Sequence, residues 1–193
     1  MKITNTIKIT RLLAILLISF LTFTACSDDD DHDHDEGTEE ELITTVRYTL
    51  TNGNNIVTLT FSDPDGEGGN DGTYSISGDL DENLTYTGLI ELLNETESPA
   101  EDITEEVLEE ALEHQFFFTP TNGIATVAYT DTDSEGNPVG IQFTLTTTDA
   151  GSGTITISLV HEPEKTEPGV SSGDITNAEG ETDIDATFSI VVQ

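Results

Sequence analysis

The stretch IQFTLTTTDAGSGTITISL, residues 141–159, decides the fold. Ile141, Phe143 and Leu145 alternate with Gln142 and Thr144; beyond the Asp149 to Gly153 turn, Ile155, Ile157 and Leu159 alternate with Thr156 and Ser158. Period two is the spacing of a strand, and apolar residues on one parity only give each strand one dry and one wet face. That is the mark of antiparallel sheets, because strands of a parallel sheet are buried on both faces.

The pattern recurs on either side. Val46, Tyr48 and Leu50 alternate with threonines and Arg47, Val57, Leu59 and Phe61 with Thr58 and Thr60, Ala125, Val127 and Tyr129 likewise, and the chain closes on Phe188, Ile190 and Val192. Clusters of Gly, Asn and Asp separate the runs. One segment changes period: Ser98-Pro99-Ala100-Glu101 reads as a capping box with proline at the first helical position, and Ile103, Val107, Leu108, Ala111 and Leu112 form one stripe. The spacing predicts a helix over about 99–113, with a solvated glutamate face. The expected architecture is all-β: an antiparallel meander of about eight or nine strands, forming a sandwich or a closed barrel, with this one amphipathic helix.

Three segments follow from composition. Lys2, Lys8 and Arg11 precede the apolar run Leu12 to Phe23, which is 12 residues long. A membrane-spanning helix needs about 20, so residues 1–25 read as a cleavable signal peptide. Ala25 then meets Cys26, the only cysteine, followed by Ser27 and four aspartates. Residues 26–41 are charged and almost devoid of apolar side chains, the composition of a flexible tether. Residues 42–193 suffice for a single β domain. Thr51-Asn52-Gly53 and the strand after it resemble Thr121-Asn122-Gly123 and its sequel, and Asp63, Asp65, Glu67 and Gly68 match Asp131, Asp133, Glu135 and Gly136 at an offset of 68. Two related halves, 42–114 and 115–193, would explain this; so would shared strand patterning.

The signal and its acidic sequel resemble the lipoprotein signals of the Bacteroidota, with Phe23 and Thr24 where a leucine and a small residue are usual. The resemblance implies an acylated Cys26 as mature N-terminus, and an outer-membrane lipoprotein exported to the cell surface. Two or more acyl chains moor a protein stably where one does so only marginally. Further stretches, namely Glu41 to Val46, Glu113 to Phe117, Tyr129 to Asp133, His161-Glu162-Pro163 and Gly173 to Ala178, are similar to a family of small flavobacterial lipoproteins without an established activity. Those proteins often carry the label of a type 1 periplasmic-binding fold. That label demands strands and helices alternating around parallel sheets, whereas this sequence offers one helix.

All 39 acidic residues follow the leader, and only Arg47 and Lys165 remain basic after it, so the formal charge passes from −34 to −37 on cleavage. Nucleic acid is thereby excluded as a partner, since its binding rests on Lys and Arg neutralising phosphates. The same field draws cations.

Candidate ligands for a cation fall into two groups. The turns beginning at Asp63 (with Asp65 and Glu67) and Asp131 (with Asp133 and Glu135) have the form D-x-D-x-E-G, which is how calcium loops begin. Their twelfth positions hold Tyr74 and Gln142 instead of a bidentate glutamate, so neither is an EF-hand, and a looser Ca2+ site stands beside plain turn formation. His32 and His34 in the tether, His114 after the helix and His161 beside Glu162 have the chemistry of ligands for Zn2+ or a similar transition metal. Each has a simpler reading as a solvated spacer, a helix-end residue or a strand-end residue.

Catalysis finds no support: there is no nucleophile elbow, P-loop or H-E-x-x-H, and carboxylate pairs in so acidic a chain carry no information. The expectation is a non-enzymatic surface lipoprotein binding a cation, a metal complex or a small nutrient, beside an outer-membrane receptor. The alternative is a structural or adhesive envelope module whose turns calcium stabilises.

Overall fold

The computed structural model describes residues 42–64 and 72–193, which lie in one compact unit. Among them are ten strands: β1 (Thr45–Asn52), β2 (Asn55–Ser62), β3 (Thr73–Ile76), β4 (Thr85–Asn94), β5 (Glu101–Asp102), β6 (His114–Pro120), β7 (Ala125–Tyr129), β8 (Gln142–Thr147), β9 (Gly151–His161) and β10 (Glu181–Val192). They form two sheets. The larger has the order β3-β2-β1-β4-β8-β7, with β5 beside β4, and the smaller β10-β9-β6. All these ladders are antiparallel.

The dry faces of both sheets supply one core. Tyr48 of β1 meets Phe188 of β10 edge-on at 5.5 Å between ring centroids, and Phe118 of β6 lies against Phe143 of β8 at 4.4 Å. Val57, Leu59, Ile90, Ile155, Ile157 and Ile190 join the same cluster. Full burial of each such side chain contributes about 1.5–3 kcal/mol, so the two layers hold each other by apolar contact. The arrangement is a sandwich; no closed barrel forms among the described residues. Gly88, directly opposite Phe143, leaves room for that ring, which a Cβ would overlap.

The connections are not simply up-and-down. β1, β2 and β3 are successive neighbours, but the opening stretch 141–159 is no hairpin: β8 and β9 belong to opposite sheets and present their dry faces to the core from its two sides. The two matched turns also differ in what they join. Gly53, at φ +59°, turns the β1–β2 hairpin, whereas Gly123, at φ +65°, carries the chain from β6 to β7 in the other sheet.

The helix is shorter than its spacing predicts. Instead of about 99–113, α1 runs Ile103–Glu109, and Asp102 caps it by accepting the Thr104 amide at 3.0 Å. Ser98-Pro99 lies before it in a cis peptide, and Glu101–Asp102 pair with Asn94 and Leu93 of β4. Strand pairing therefore holds residues that the capping box would have made helical, and Asp102, with Glu105 three residues on, is an equally good start. Ile103 and Val107 are buried, while Leu108 and Leu112 face solvent.

Residues 162–180 pack across the outer face of the small sheet. There Phe117 and Val160 meet Val170 and Ala178 in a second apolar cluster. Gln115 ties this segment down, its side-chain amide donating to the Val170 carbonyl at 2.8 Å.

Candidate functional site at the end of the small sheet

His114 opens β6 and His161 closes β9, and the two are directly paired across the ladder. Alternation places them inward, in phase with Phe116 and Phe118 on one strand and Ile157 and Leu159 on the other. Their rings stack, with centroids 4.7 Å apart and planes 17° from parallel. Both are buried, at 0% and 5% exposure.

The hydrogen bond at one ring nitrogen sets the role of the other. Nδ1 of His114 lies 3.3 Å from the carbonyl oxygen of Glu110, the C-cap residue of α1. A carbonyl only accepts, so Nδ1 carries a proton, and Nε2 is turned to Oδ2 of Asp183 at 3.7 Å. Nε2 of His161 faces Oε2 of Glu113 at 3.9 Å. The Asp183 side chain is 1% exposed and that of Glu113 57%, so the cluster has a dry inner wall and a wet rim.

Two backbone features aim Asp183. In β10, Thr182 pairs with Val160 and Ile184 with Leu159, which leaves Asp183 as the extra residue of a bulge. Strict alternation from Ile184 would turn Asp183 outward; the bulge re-aims it. Just upstream, Gly180 sits at φ +72°, and a Cβ there would overlap the carbonyl oxygen of His161. Only glycine lets β10 start this close to the end of β9.

The acidic turns do something else. Oδ1 of Asp133 accepts the amides of Glu135 and Asn137, both at 2.9 Å, and Oδ2 accepts Nζ of Lys165 at 3.0 Å. Lys165 also donates to the carbonyls of Ala111 at 2.6 Å and Pro138 at 3.2 Å, which satisfies its three protons. Burial works to raise the Asp133 carboxyl, but the Lys165 hydrogen bond and the two amides outweigh it and hold it below the ordinary aspartate value. Burial likewise pulls the Lys165 ammonium down, with Asp133 opposing. Asp131 accepts the amides of Gly140 and Gln142, each at 2.8 Å. The lysine ammonium thus stands where the sequence suggests Ca2+, and Glu135 points to solvent.

Of the residues singled out in the sequence, the structure brings His114 and His161 together and sets Asp131 and Asp133 in a separate turn. Asp63 begins the other turn; Asp65, Glu67, Cys26, His32 and His34 lie outside the described residues. Sequence reasoning missed Asp183, whose position in an alternating strand signals the solvent face, and Glu113, one glutamate among many. Lys165, the sole lysine after the leader, is a signal that composition does offer.

Among the described residues no group of three or more His, Cys, Asp or Glu side chains could hold a metal ion. A cleft lined by Phe118, Val127, Tyr129, Ser172 and Gly173 has about 60 Å³, well under the roughly 300 Å³ at which small-molecule pockets begin. Comparison with family models, with curated proteins and with solved structures returned no significant match.

Proposed function

We propose that this chain is an outer-membrane lipoprotein, moored through an acylated Cys26 and exposed at the cell surface, that captures a cation and passes it to an outer-membrane receptor. The observation that carries the reading is the fate of its positive charge. Of the two cations left after the leader, Lys165 is buried against Asp133, and Arg47 is bonded to Glu91. Each is answered locally, and 39 carboxylates so far outnumber the basic side chains that the balance of their charge is met by ions from solution. A field of this sign concentrates divalent ions in particular.

The structural-module alternative assigns calcium to the acidic turns. At Asp131 and Asp133 it requires an ion to compete with Lys165 and four backbone amides for the same oxygens.

Equilibrium dialysis of the purified mature protein against Zn2+, Cu2+ and Ca2+ at physiological salt tests the proposal. Saturable, stoichiometric uptake of Zn2+ or Cu2+ is the expected result. Uptake that vanishes with salt, or none, refutes it.

A further inference from the structure

We infer that the edge strand β10 is where two copies of this chain pair, antiparallel to one another across a two-fold axis at Thr187, so that their small sheets become one. The pairing is independent of cation capture.

The direction of the backbone groups of β10 carries the inference. In β9 the amide of Thr154 donates to the Thr121 hydroxyl and its carbonyl accepts the Thr121 amide, both at 2.8 Å, so its backbone is turned to the β6 side. Ser189, directly opposite Thr154, therefore turns its own amide and carbonyl away from β9, and by antiparallel alternation Thr187 and Asp185 do the same. Val191 has the same parity, and its carbonyl accepts the Leu80 amide at 2.9 Å. Leu80 thus covers the edge at that end, and the bulge at Asp183 breaks it at the other. Between these limits the amides and carbonyls of Asp185, Thr187 and Ser189 meet no backbone partner among the described residues.

A bare edge is a template for another strand, and proteins ordinarily blunt it with short strands, covers, prolines or charges. Two other edges are so treated. β3 is four residues long, and at Phe116 of β6 the amide donates to the Val139 carbonyl while the carbonyl accepts the Tyr129 hydroxyl, each at 2.7 Å. β10 has 12 residues with no proline and no lysine, and in a chain of 39 acidic residues its stretch Ala186 to Val192 has no charge.

The open window selects a second copy as its occupant. It is symmetric about Thr187, so an identical strand laid antiparallel fills it completely: Thr187 meets Thr187, and Asp185 meets Ser189 on either side, each couple exchanging two backbone hydrogen bonds. On the solvent face a serine hydroxyl, which donates, then stands against each carboxylate, which accepts. The two Asp185 carboxylates are roughly 14 Å apart along the strands, beyond the Debye length of about 8 Å at physiological salt. On the core side, Tyr74 lies against Phe188 with half its surface exposed, an apolar ring at the same edge for the copy to cover. Because the far edge of the small sheet is covered at Phe116, the pairing closes at two copies.

Sedimentation velocity of the mature protein at physiological salt, over about 10 μM to about 1 mM, tests the pairing. A monomer in equilibrium with a dimer is expected. Thr187→Glu puts like charges opposite each other on the axis and should weaken the dimer tenfold or more. Ser189→Asp sets carboxylate against carboxylate and should weaken it similarly, whereas Asp185→Ser/Ser189→Asp restores the hydroxyl beside the carboxylate and should return it to within a few-fold of the wild type. Thr187 and Ser189 are exposed, so loss of the dimer is not loss of the fold. A wild type that stays monomeric throughout, or a dimer indifferent to Thr187→Glu, overturns the inference. A dimer weakened by Ser189→Asp and not recovered by the double variant overturns the axis at Thr187. Hydrogen exchange that finds the Asp185, Thr187 and Ser189 amides already protected in the monomer also overturns it, for another segment of the chain then covers the edge.

Discussion

Oδ2 of Asp183 lies 3.7 Å from Nε2 of His114, and both groups are shut away from solvent at one end of the small sheet. The couple ties β6 to β10, and removing one member leaves the other buried without it. Asp183→Ala should therefore cost about 1–3 kcal/mol in urea unfolding; a loss within error of zero would show that the couple is immaterial.

Lys165 and Asp133 form a buried pair whose loss should be felt unequally. Lys165→Met leaves a buried carboxylate uncompensated and should cost about 3–5 kcal/mol in urea unfolding. Asp133→Asn placed on top of Lys165→Met should recover part of that loss, because the amide oxygen still accepts the Glu135 and Asn137 N–H groups. Equal losses in the single and double variants would show that the charge pairing is immaterial.

The same aspartate sets a pH dependence. Its carboxyl is held below the ordinary value in the folded state, so in the window between the two values the unfolded state binds more protons. The stability it contributes is therefore complete above about pH 4 and is lost as pH falls through the lower, native value. Asp133→Asn should flatten this acid limb when Tm is followed down from pH 5, and an unchanged acid limb would count against the assignment.

Two buried tyrosines should respond oppositely to loss of the hydroxyl. Tyr48 is packed against Phe188, and its hydroxyl has no hydrogen-bond partner among the described residues. Burial and the nearby Asp185 push its pKa well up. Tyr48→Phe should stabilise by about 1 kcal/mol, since an unsatisfied buried polar atom is removed. The Tyr86 hydroxyl accepts the Asp81 amide at 2.9 Å, so Tyr86→Phe should destabilise by about 1–2 kcal/mol. Thermal unfolding of both variants decides; destabilisation by Tyr48→Phe would mean that the hydroxyl has a partner.

Gly180→Ala combines a left-handed φ with an overlap onto the His161 carbonyl. It should cost about 1–2 kcal/mol for the conformation alone. Thermal unfolding measures the loss, and an unchanged Tm would show that β10 can start further from the end of β9.

Much of the sandwich was legible in the sequence because period-two alternation is imposed by burial on one face. Val46, Tyr48, Leu50, Phe143, Ile157 and Phe188 all turn inward as their parity requires. Which sheet each strand joins was not legible, since a strand facing one core from above and its neighbour facing it from below show the same alternation. The helix start failed for a local reason: Ser98 and Asp102 both offer a cap, and only the pairing of Glu101–Asp102 with β4 decides between them. The histidines could be named one by one, but their meeting depends on a cross-strand register and that of Asp183 on a bulge, and neither leaves a trace in composition. The acidic turns misled because Asp-x-Asp satisfies backbone amides as readily as it binds an ion, and the cation that Asp133 holds comes from Lys165, 32 residues away.

The most direct measurement is equilibrium dialysis of the mature protein against Zn2+, Cu2+ and Ca2+ at physiological salt. Cation capture predicts saturable, stoichiometric uptake of Zn2+ or Cu2+; uptake that vanishes with added salt, or none, would contradict it.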